Sequence, residues 1–371
     1  MFTVLLSAVA FLLLLSVLIL IHEFGHFAAA RKAGVEVEEF GFGLPPRART
    51  LFSQGKTQFS MNWIPFGGFV RLKGENAMDE KERRSKGSFA AASVPARVVI
   101  LVAGVFMNFI LAIVLLTIGF TAGQWVPTYV SLEDMEAAAA RGDIHLKLGV
   151  LIEAVVEGGN AASAGVPVRS ILAEIDGKEV TYPAEVAKMQ EGKTTAKYLL
   201  KTGEGFLEEQ TIEIALKDGK SGVVVTSYPI ELSAPPRGIF GAIGLALRES
   251  WVMMQQTVLG IGKLGMSLFT TGKVPEGITG IVGIAQLTHA SVQEGFMTYL
   301  RLVALLSLSL AALNILPFPA LDGGRLLFVF VEVITRRPVN RRFEVTTNAV
   351  GFGFLILLIG LITYHDIVNL F

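Results

Sequence analysis

The sequence predicts a multi-pass α-helical membrane protein. Four transmembrane helices are expected, with a cytoplasmic-side β-hairpin or re-entrant loop and one inserted extracytoplasmic α/β module. Three observations predict this. The 371 residues are 52% hydrophobic and only 17% charged, with a mean hydropathy of +0.56, which is membrane composition. The apolar residues are gathered into separate runs long enough to cross a bilayer. Between the second and third runs lie about 100 residues of soluble character, a normal domain size.

Composition also excludes functions. Formal net charge is zero, so no general attraction to polyanions follows. No basic cluster is interleaved with aromatics, and no zinc-finger or RNA-binding motif is present, so nucleic acid is not an expected partner. Cysteine is absent. Disulfides, thiolate metal ligands and a catalytic cysteine are therefore excluded, and any zinc must be held by histidine and carboxylate.

Residues 1–32 form the first helix. The run lacks a basic leader and is about twice as long as a signal-peptide core, so it is read as a retained spanning helix. Near its end stands His22-Glu23-Phe24-Gly25-His26. On a helix, residues i and i+4 share a face, so His22 and His26 could both offer a ring nitrogen to one metal ion. Glu23 is placed to take a proton from a water at that metal. An ionisable residue deep in a spanning helix costs on the order of 3 kcal/mol unless paired or wetted, which argues against these three being filler.

Residues 33–96 form a loop, expected on the cytoplasmic side. Val35–Phe40, Arg47–Phe52 and Gln58–Asn62 read as short strands, punctuated by Pro45-Pro46, Gln54-Gly55 and Pro65. Gly67 and Gly68, between aromatic residues, suggest a tight hairpin or a close backbone approach. The segment could dip into the bilayer if protein covers it, or be a soluble turn. Residues 74–88 read as a solvated linker, with Ser88 or Ser93 capping the next helix.

The second spanning helix covers 97–120. Gly104 and Asn108 lie one turn apart; the glycine suits helix packing and the asparagine needs a partner. Residues 125–232 form the soluble module, with strands near 150–156, 171–175, 197–201 and 211–216 and helices near 161–164 and 183–190. Residues 236–295 read as amphipathic, interfacial helices. The third spanning helix, 296–322, ends in Asn314-Ile315-Leu316-Pro317-Phe318-Pro319-Ala320-Leu321-Asp322. A basic stretch, Arg336 to Arg342, precedes the fourth, 345–366.

Lys and Arg cluster in the 33–96 loop and in 325–342, so both are expected to be cytoplasmic and the 125–232 module outside. His22, His26 and Asp322 then fall at one depth. Of the five histidines, His145, His289 and His365 do not, which leaves Asp322 as the best third metal ligand. Asn314 could hydrogen-bond a substrate backbone or a developing oxyanion, or another helix. The chemistry implied is zinc-assisted peptide hydrolysis, with Glu23 moving the proton. A membrane-embedded substrate helix would have to unwind first, and the Gly67-Gly68 segment could take the unwound stretch as an added strand.

The pairing of His22-Glu23-Phe24-Gly25-His26 with Asn314…Pro317…Pro319…Leu321-Asp322-Gly323 resembles the site-2 protease family of intramembrane zinc metalloproteases, and more narrowly its bacterial branch that cleaves membrane-bound anti-sigma factors. Pro65–Val70 resembles that branch's re-entrant β-loop, and Gly104 with Asn108 its G-x-x-x-N motif. Residues 146–231 resemble a single PDZ domain, with Leu148-Gly149-Val150-Leu151 where the carboxylate-binding loop belongs. Three positions depart from the family pattern: Val105, Gly280-Ile281 and Pro167-Val168-Arg169-Ser170. The resemblance implies Zn2+ as cofactor and a bacterial cytoplasmic membrane location. It implies single-pass membrane proteins or signal-peptide remnants as substrates, the lipid bilayer as setting, and a peptide ligand or gating role for the PDZ-like module. Two rivals stand beside it. A catalytically silent PDZ-bearing scaffold would cleave nothing; a metal transporter would show inverted repeats, and none is visible.

Overall fold

A computed structural model describes residues 2–75, 77–123, 125–275, 277–368 and 370. The chain divides into two compact units, 1–122 with 237–371, and 123–236.

The first unit opens with α1 (Phe2–Lys32), a helix of about 47 Å at 1.5 Å per residue. Strands β1 (Val37–Gln54) and β2 (Thr57–Leu72) follow. They are far longer than the short strands expected, and they fold back on each other. Residues 39–42 face 68–71 on one side and 58–61 on the other, and 49–54 lie outside against 57–61. The turn falls at Gly55-Lys56. Gly67 and Gly68 are therefore not a hairpin turn. They lie inside β2, where Phe42 pairs with Gly68 but Leu44 with Ile64, so residues 65–67 bulge outward. The close-approach alternative holds instead: a side-chain carbon on Gly68 would lie 2.7 Å from Leu20 of α1 and 2.9 Å from the Gly41 carbonyl. Phe27, Ala30, Val37, Phe40, Leu72 and Ile100 form the buried cluster that fixes the ribbon to the helices.

A short α2 (Glu80–Arg83) leads to α3 (Val94–Thr121). Ser93 caps α3 by accepting the Ala96 N–H, and a proline sits in its first turn.

The second unit holds α4 (Leu132–Ala140), β3 (His145–Val155), α5 (Asn160–Ser163), β4 (Ile171–Ile175), β5 (Lys178–Glu179), α6 (Pro183–Gln190), β6 (Thr195–Thr202), β7 (Glu208–Ala215) and β8 (Val223–Ser233). The sheet runs β7-β6-β4-β3-β8, with β5 on β4, all antiparallel. Alternate residues, among them Val150, Ile152, Leu172, Tyr198 and Leu200, build its core beneath Val186 of α6. A buried polar chain joins them: Gln190 donates to the Tyr198 hydroxyl, which donates to Ser221 Oγ at 2.8 Å. β8 is not foreseen by the sequence pattern, because Pro229 interrupts it. It lies at the sheet's edge, where proline is tolerated.

The first unit resumes with α7 (Ile239–Thr270), α8 (Ile281–Glu294), α9 (Phe296–Ile315), α10 (Asp322–Thr335) and α11 (Arg341–Val368). α7 is one continuous helix. It packs Ala242, Ala246, Glu249 and Ser250 inward while Phe240 and Trp251 stay exposed. Asp366 of α11 accepts the Gly280 and Gly283 N–H groups at 2.9 and 2.8 Å and so caps α8.

Two expectations change here. The third spanning helix does not reach residue 322: it ends at Ile315, because Pro317 and Pro319 lack the N–H groups a helix needs, and Ala320 is left-handed (φ 75). Asp322 opens a new helix, α10, in what was expected to be a basic loop. The fourth spanning helix is longer than 345–366, running from Arg341. Among the described residues, four helices are long and apolar enough to cross a membrane: Thr3–Lys32, Val94–Thr121, Phe296–Ile315 and Arg341–Val368.

Candidate metal centre

α1 delivers two imidazoles from one face. His22 and His26 are buried, and their Nε2 atoms lie 3.1 Å apart. Two glycines allow this. A side chain on Gly25 would run into the Ala103 carbonyl and Gly104, and one on Gly104 would meet His26 Nε2 and come within 2.8 Å of His22. Helices α1 and α3 thus cross where neither has a side chain, and the histidines occupy the space so freed. Both glycines are helical, so only this close approach requires them.

Asp322 arrives from a separate element. Its carboxylate lies 3.0 Å from His22 Nε2 and 3.3 Å from His26 Nε2. The preceding loop is held by Asn348, whose Oδ1 accepts the Ala320 N–H at 3.1 Å. Gly323 and Gly324 let the first turn of α10 pack against the carbonyls of Ile315, Leu316 and Phe318. As the first residue of α10, Asp322 also sits where a helix favours negative charge.

The protonation pattern shows what this triad can hold. His26 Nδ1 is 2.8 Å from the Ile100 carbonyl, which only accepts, so Nδ1 carries a hydrogen and Nε2 is the ring atom turned toward Asp322. The two Nε2 atoms and an Asp322 oxygen, each a metal-ligating atom type, converge in a buried space. Tetrahedral zinc with ligands at about 2.0–2.1 Å spaces those ligands about 3.3 Å apart, and the observed separations match. Among the described residues this is the one set of three His, Asp or Glu groups close enough to share a metal.

Glu23 is positioned by a backbone group. Its Oε2 accepts the Val70 N–H at 2.9 Å. Val70 lies in β2, paired with Phe40 on one side, and no strand covers the other side of 68–72 among the described residues. Just along β1, Glu39 is buried between Arg47 (2.6 Å) and Arg71 (2.7 Å). Burial pushes its carboxyl up, but Arg47, Ser60 and Arg71 outweigh that and hold it below the usual carboxylate range.

The other expected residues divide. Asn108 lies one turn beyond Gly104, fully buried, and neither atom of its carboxamide has a partner; its backbone carbonyl accepts from Ser307 Oγ at 2.8 Å. Asn314 lies in the last turn of α9, half-buried, with no hydrogen bond to the triad among the described residues. Gly67 and Gly68 lie on β2 against α1, three and two residues before Val70. His289 is tied to Ser7 at 2.8 Å, away from the triad. Sequence reasoning missed the parts contributed by Gly25, the Ile100 carbonyl, the Val70 N–H and Asn348. Gly25 alone left a signal, at helical spacing inside the histidine motif.

Two histidines on one helix, a carboxylate from another and a fixed glutamate among helices long enough to cross a membrane form a candidate metal centre of the kind a membrane metallohydrolase needs. Comparison with known proteins narrows this. The model of peptidase family M50 matches residues 10–358, and the chain belongs to that family. It is 26% identical to the zinc metalloprotease RasP of Bacillus licheniformis, over 98% of this chain and 99% of the relative. It is 27% identical to the regulator of sigma-E protease RseP of Salmonella typhimurium, over 99% of each. The chain is thus a zinc metalloprotease of the site-2 type.

Proposed function

We propose that His22, His26 and Asp322 hold the zinc and that Glu23 is the catalytic base of an intramembrane protease. The observation that supports this most is the convergence of two imidazole Nε2 atoms and a carboxylate oxygen beside a second carboxylate pinned by a backbone N–H. Bound zinc supplies the Lewis acidity that polarises a peptide carbonyl and acidifies a water. With Oε2 engaged by Val70, Glu23 keeps Oε1 free to take the water's proton and pass it to the leaving amine. The open edge of β2 at residues 68–72 suits a substrate in extended form: an unwound segment paired there would lie next to Glu23. Gly67 and Gly68 keep that edge close to α1. The unpaired carboxamide of Asn108, costly to bury at about 1–3 kcal/mol, and that of Asn314 are assigned to substrate or transition-state support.

Substrates on this account are transmembrane segments of single-pass membrane proteins, such as anti-sigma factors, or signal-peptide remnants. The printed name of the Salmonella relative, a regulator of sigma-E protease, supports the regulatory branch. The location is the bacterial cytoplasmic membrane, with the triad toward the cytoplasm. The unit 123–236, joined to the far end of α3, is then extracytoplasmic. We read it as a single PDZ-like domain that admits trimmed substrates or binds a peptide. Alignments to the two relatives extend over 446 and 453 positions, longer than this chain, so those proteins carry insertions it lacks, which supports one module here.

The test uses the full chain in detergent with a reporter transmembrane segment, wild type against Glu23→Gln. The expected result is cleavage by the wild type and loss of at least a hundredfold in the variant. Equal cleavage by both would sink the assignment.

A further inference from the structure

A second polar site lies in the first unit, apart from the triad. It is a cavity of about 260 Å3 at the start of α3, the end of α10 and the connection to α11. Four arginines line it, Arg83, Arg97, Arg336 and Arg337, against one carboxylate, Glu332. That carboxylate is already engaged, by Arg97 at 2.7 Å and by the Val339 N–H at 3.2 Å. The Nε of Arg97 is buried without a partner. Among the described residues, Arg83, Arg336 and Arg337 form no ion pair. The cavity therefore carries positive charge that the protein does not balance. Arg336 is the left-handed residue (φ 54) that ends α10, so helix termination places it beside Arg337 at the cavity. The first turn of α3 brings the positive end of its dipole and the last turn of α10 the negative end of its own, so the excess charge comes from the arginines.

The chemistry fits a phosphate, whose oxygens match the guanidinium fork. The surroundings fit a lipid. Val333 lines the cavity, and Ile334 beside it is 81% exposed. α3 and α11 are among the helices long enough to cross a membrane, and both begin here, so the cavity lies at headgroup depth.

We propose that this cavity binds the phosphate headgroup of an anionic phospholipid, with its acyl chains along Val333 and Ile334. Native mass spectrometry of the full chain, supplied with equal phosphatidylglycerol and phosphatidylcholine, tests it. The wild type retains phosphatidylglycerol preferentially. At roughly 1 kcal/mol per basic residue, the double variant Arg336→Gln/Arg337→Gln retains about thirtyfold less, while Arg336→Lys/Arg337→Lys, which keeps the charge but not the fork, falls between the two. An unchanged melting temperature in both variants shows that the fold is intact, and millimolar inorganic phosphate does not displace the lipid. Equal retention by wild type and the glutamine variant, or no preference for the anionic lipid, overturns the proposal. Displacement by inorganic phosphate also overturns it, and assigns the cavity to a free anion.

Discussion

The two halves of the proposed metal centre are built differently. His22 and His26 stand on an unbroken helix and are brought together by its period. Asp322 stands after a helix has been broken by two prolines and is brought in by a new helix start. The helical half is set by local geometry and by one glycine crossing with α3. The carboxylate half depends on a chain of packing contacts: Pro319 against Gly351, Ala320 on Asn348, and Gly323 and Gly324 on the carbonyls before them. The difference teaches where the centre is rigid and where it is assembled. A regular element aligns two of the residues by its own period and needs one neighbour, α3, to seat them, whereas the third needs a scaffold from α9, α10 and α11.

The largest effect is expected in the helical half. Gly104→Ala should lower zinc retention and cleavage by about a hundredfold, because the new carbon enters the space of both imidazoles. Alanine is the better helix former by about 1 kcal/mol, so loss of metal with an unchanged or raised helix content would locate the damage in the site. Metal analysis and circular dichroism measure both. Retention of full zinc would mean that the crossing is looser than described.

The carboxylate half should respond less to a comparable change. Gly323→Ala places a carbon against the backbone carbonyls of Ile315 and Leu316, so the start of α10 must move, but the carbon does not enter the space of the imidazoles. We expect zinc affinity down by about tenfold, the scale seen when supporting groups around a metal ligand are lost. If this variant proves worse than Gly104→Ala, the ranking of the two halves is reversed.

A third substitution separates base placement from metal binding. Val70→Pro removes the N–H that fixes Glu23 but no ladder bond on the covered side of β2. Zinc content should stay at wild-type level while kcat falls about tenfold, less than the roughly hundredfold or more that removing the base itself costs. Equal loss of metal and rate would show that β2 supports the triad rather than Glu23.

The smallest effect concerns the ribbon that carries Val70. Glu39 is held below the usual carboxylate range, so its ionised form stabilises the folded ribbon. That contribution is full above the ordinary carboxylate pKa and is lost as pH falls through the lower, folded value. Wild-type melting temperature should therefore drop in acid. Glu39→Gln should be less stable than wild type near neutrality, by a few kcal/mol at most, with a flatter acid limb. Parallel acid limbs would contradict this.

These contrasts follow what was legible in the sequence. The spanning helices were legible because length and hydrophobicity report directly on a bilayer. His22, Glu23 and His26 were legible because one helical turn fixes their spacing. Asp322 could be singled out by depth and by exclusion of other histidines, but its place at the head of α10 could not, since Arg325 and the basic residues beyond Thr335 resemble a loop. The Val70 N–H and the Ile100 carbonyl left no trace, because every residue carries a backbone and only the fold selects which one points at a ligand. Gly67 and Gly68 signalled a close approach, yet the same pair also fits a turn; only the register of β1 on β2 separates the two.

X-ray absorption at the zinc edge tests the central claim most directly, that two histidines of one helix and a carboxylate of another share the metal. In the wild type we predict two imidazole nitrogens and a carboxylate oxygen as protein ligands, with the carboxylate contribution lost in Asp322→Ala while the imidazole signal persists. A third imidazole in the wild type, or a coordination sphere unchanged by Asp322→Ala, would contradict the account.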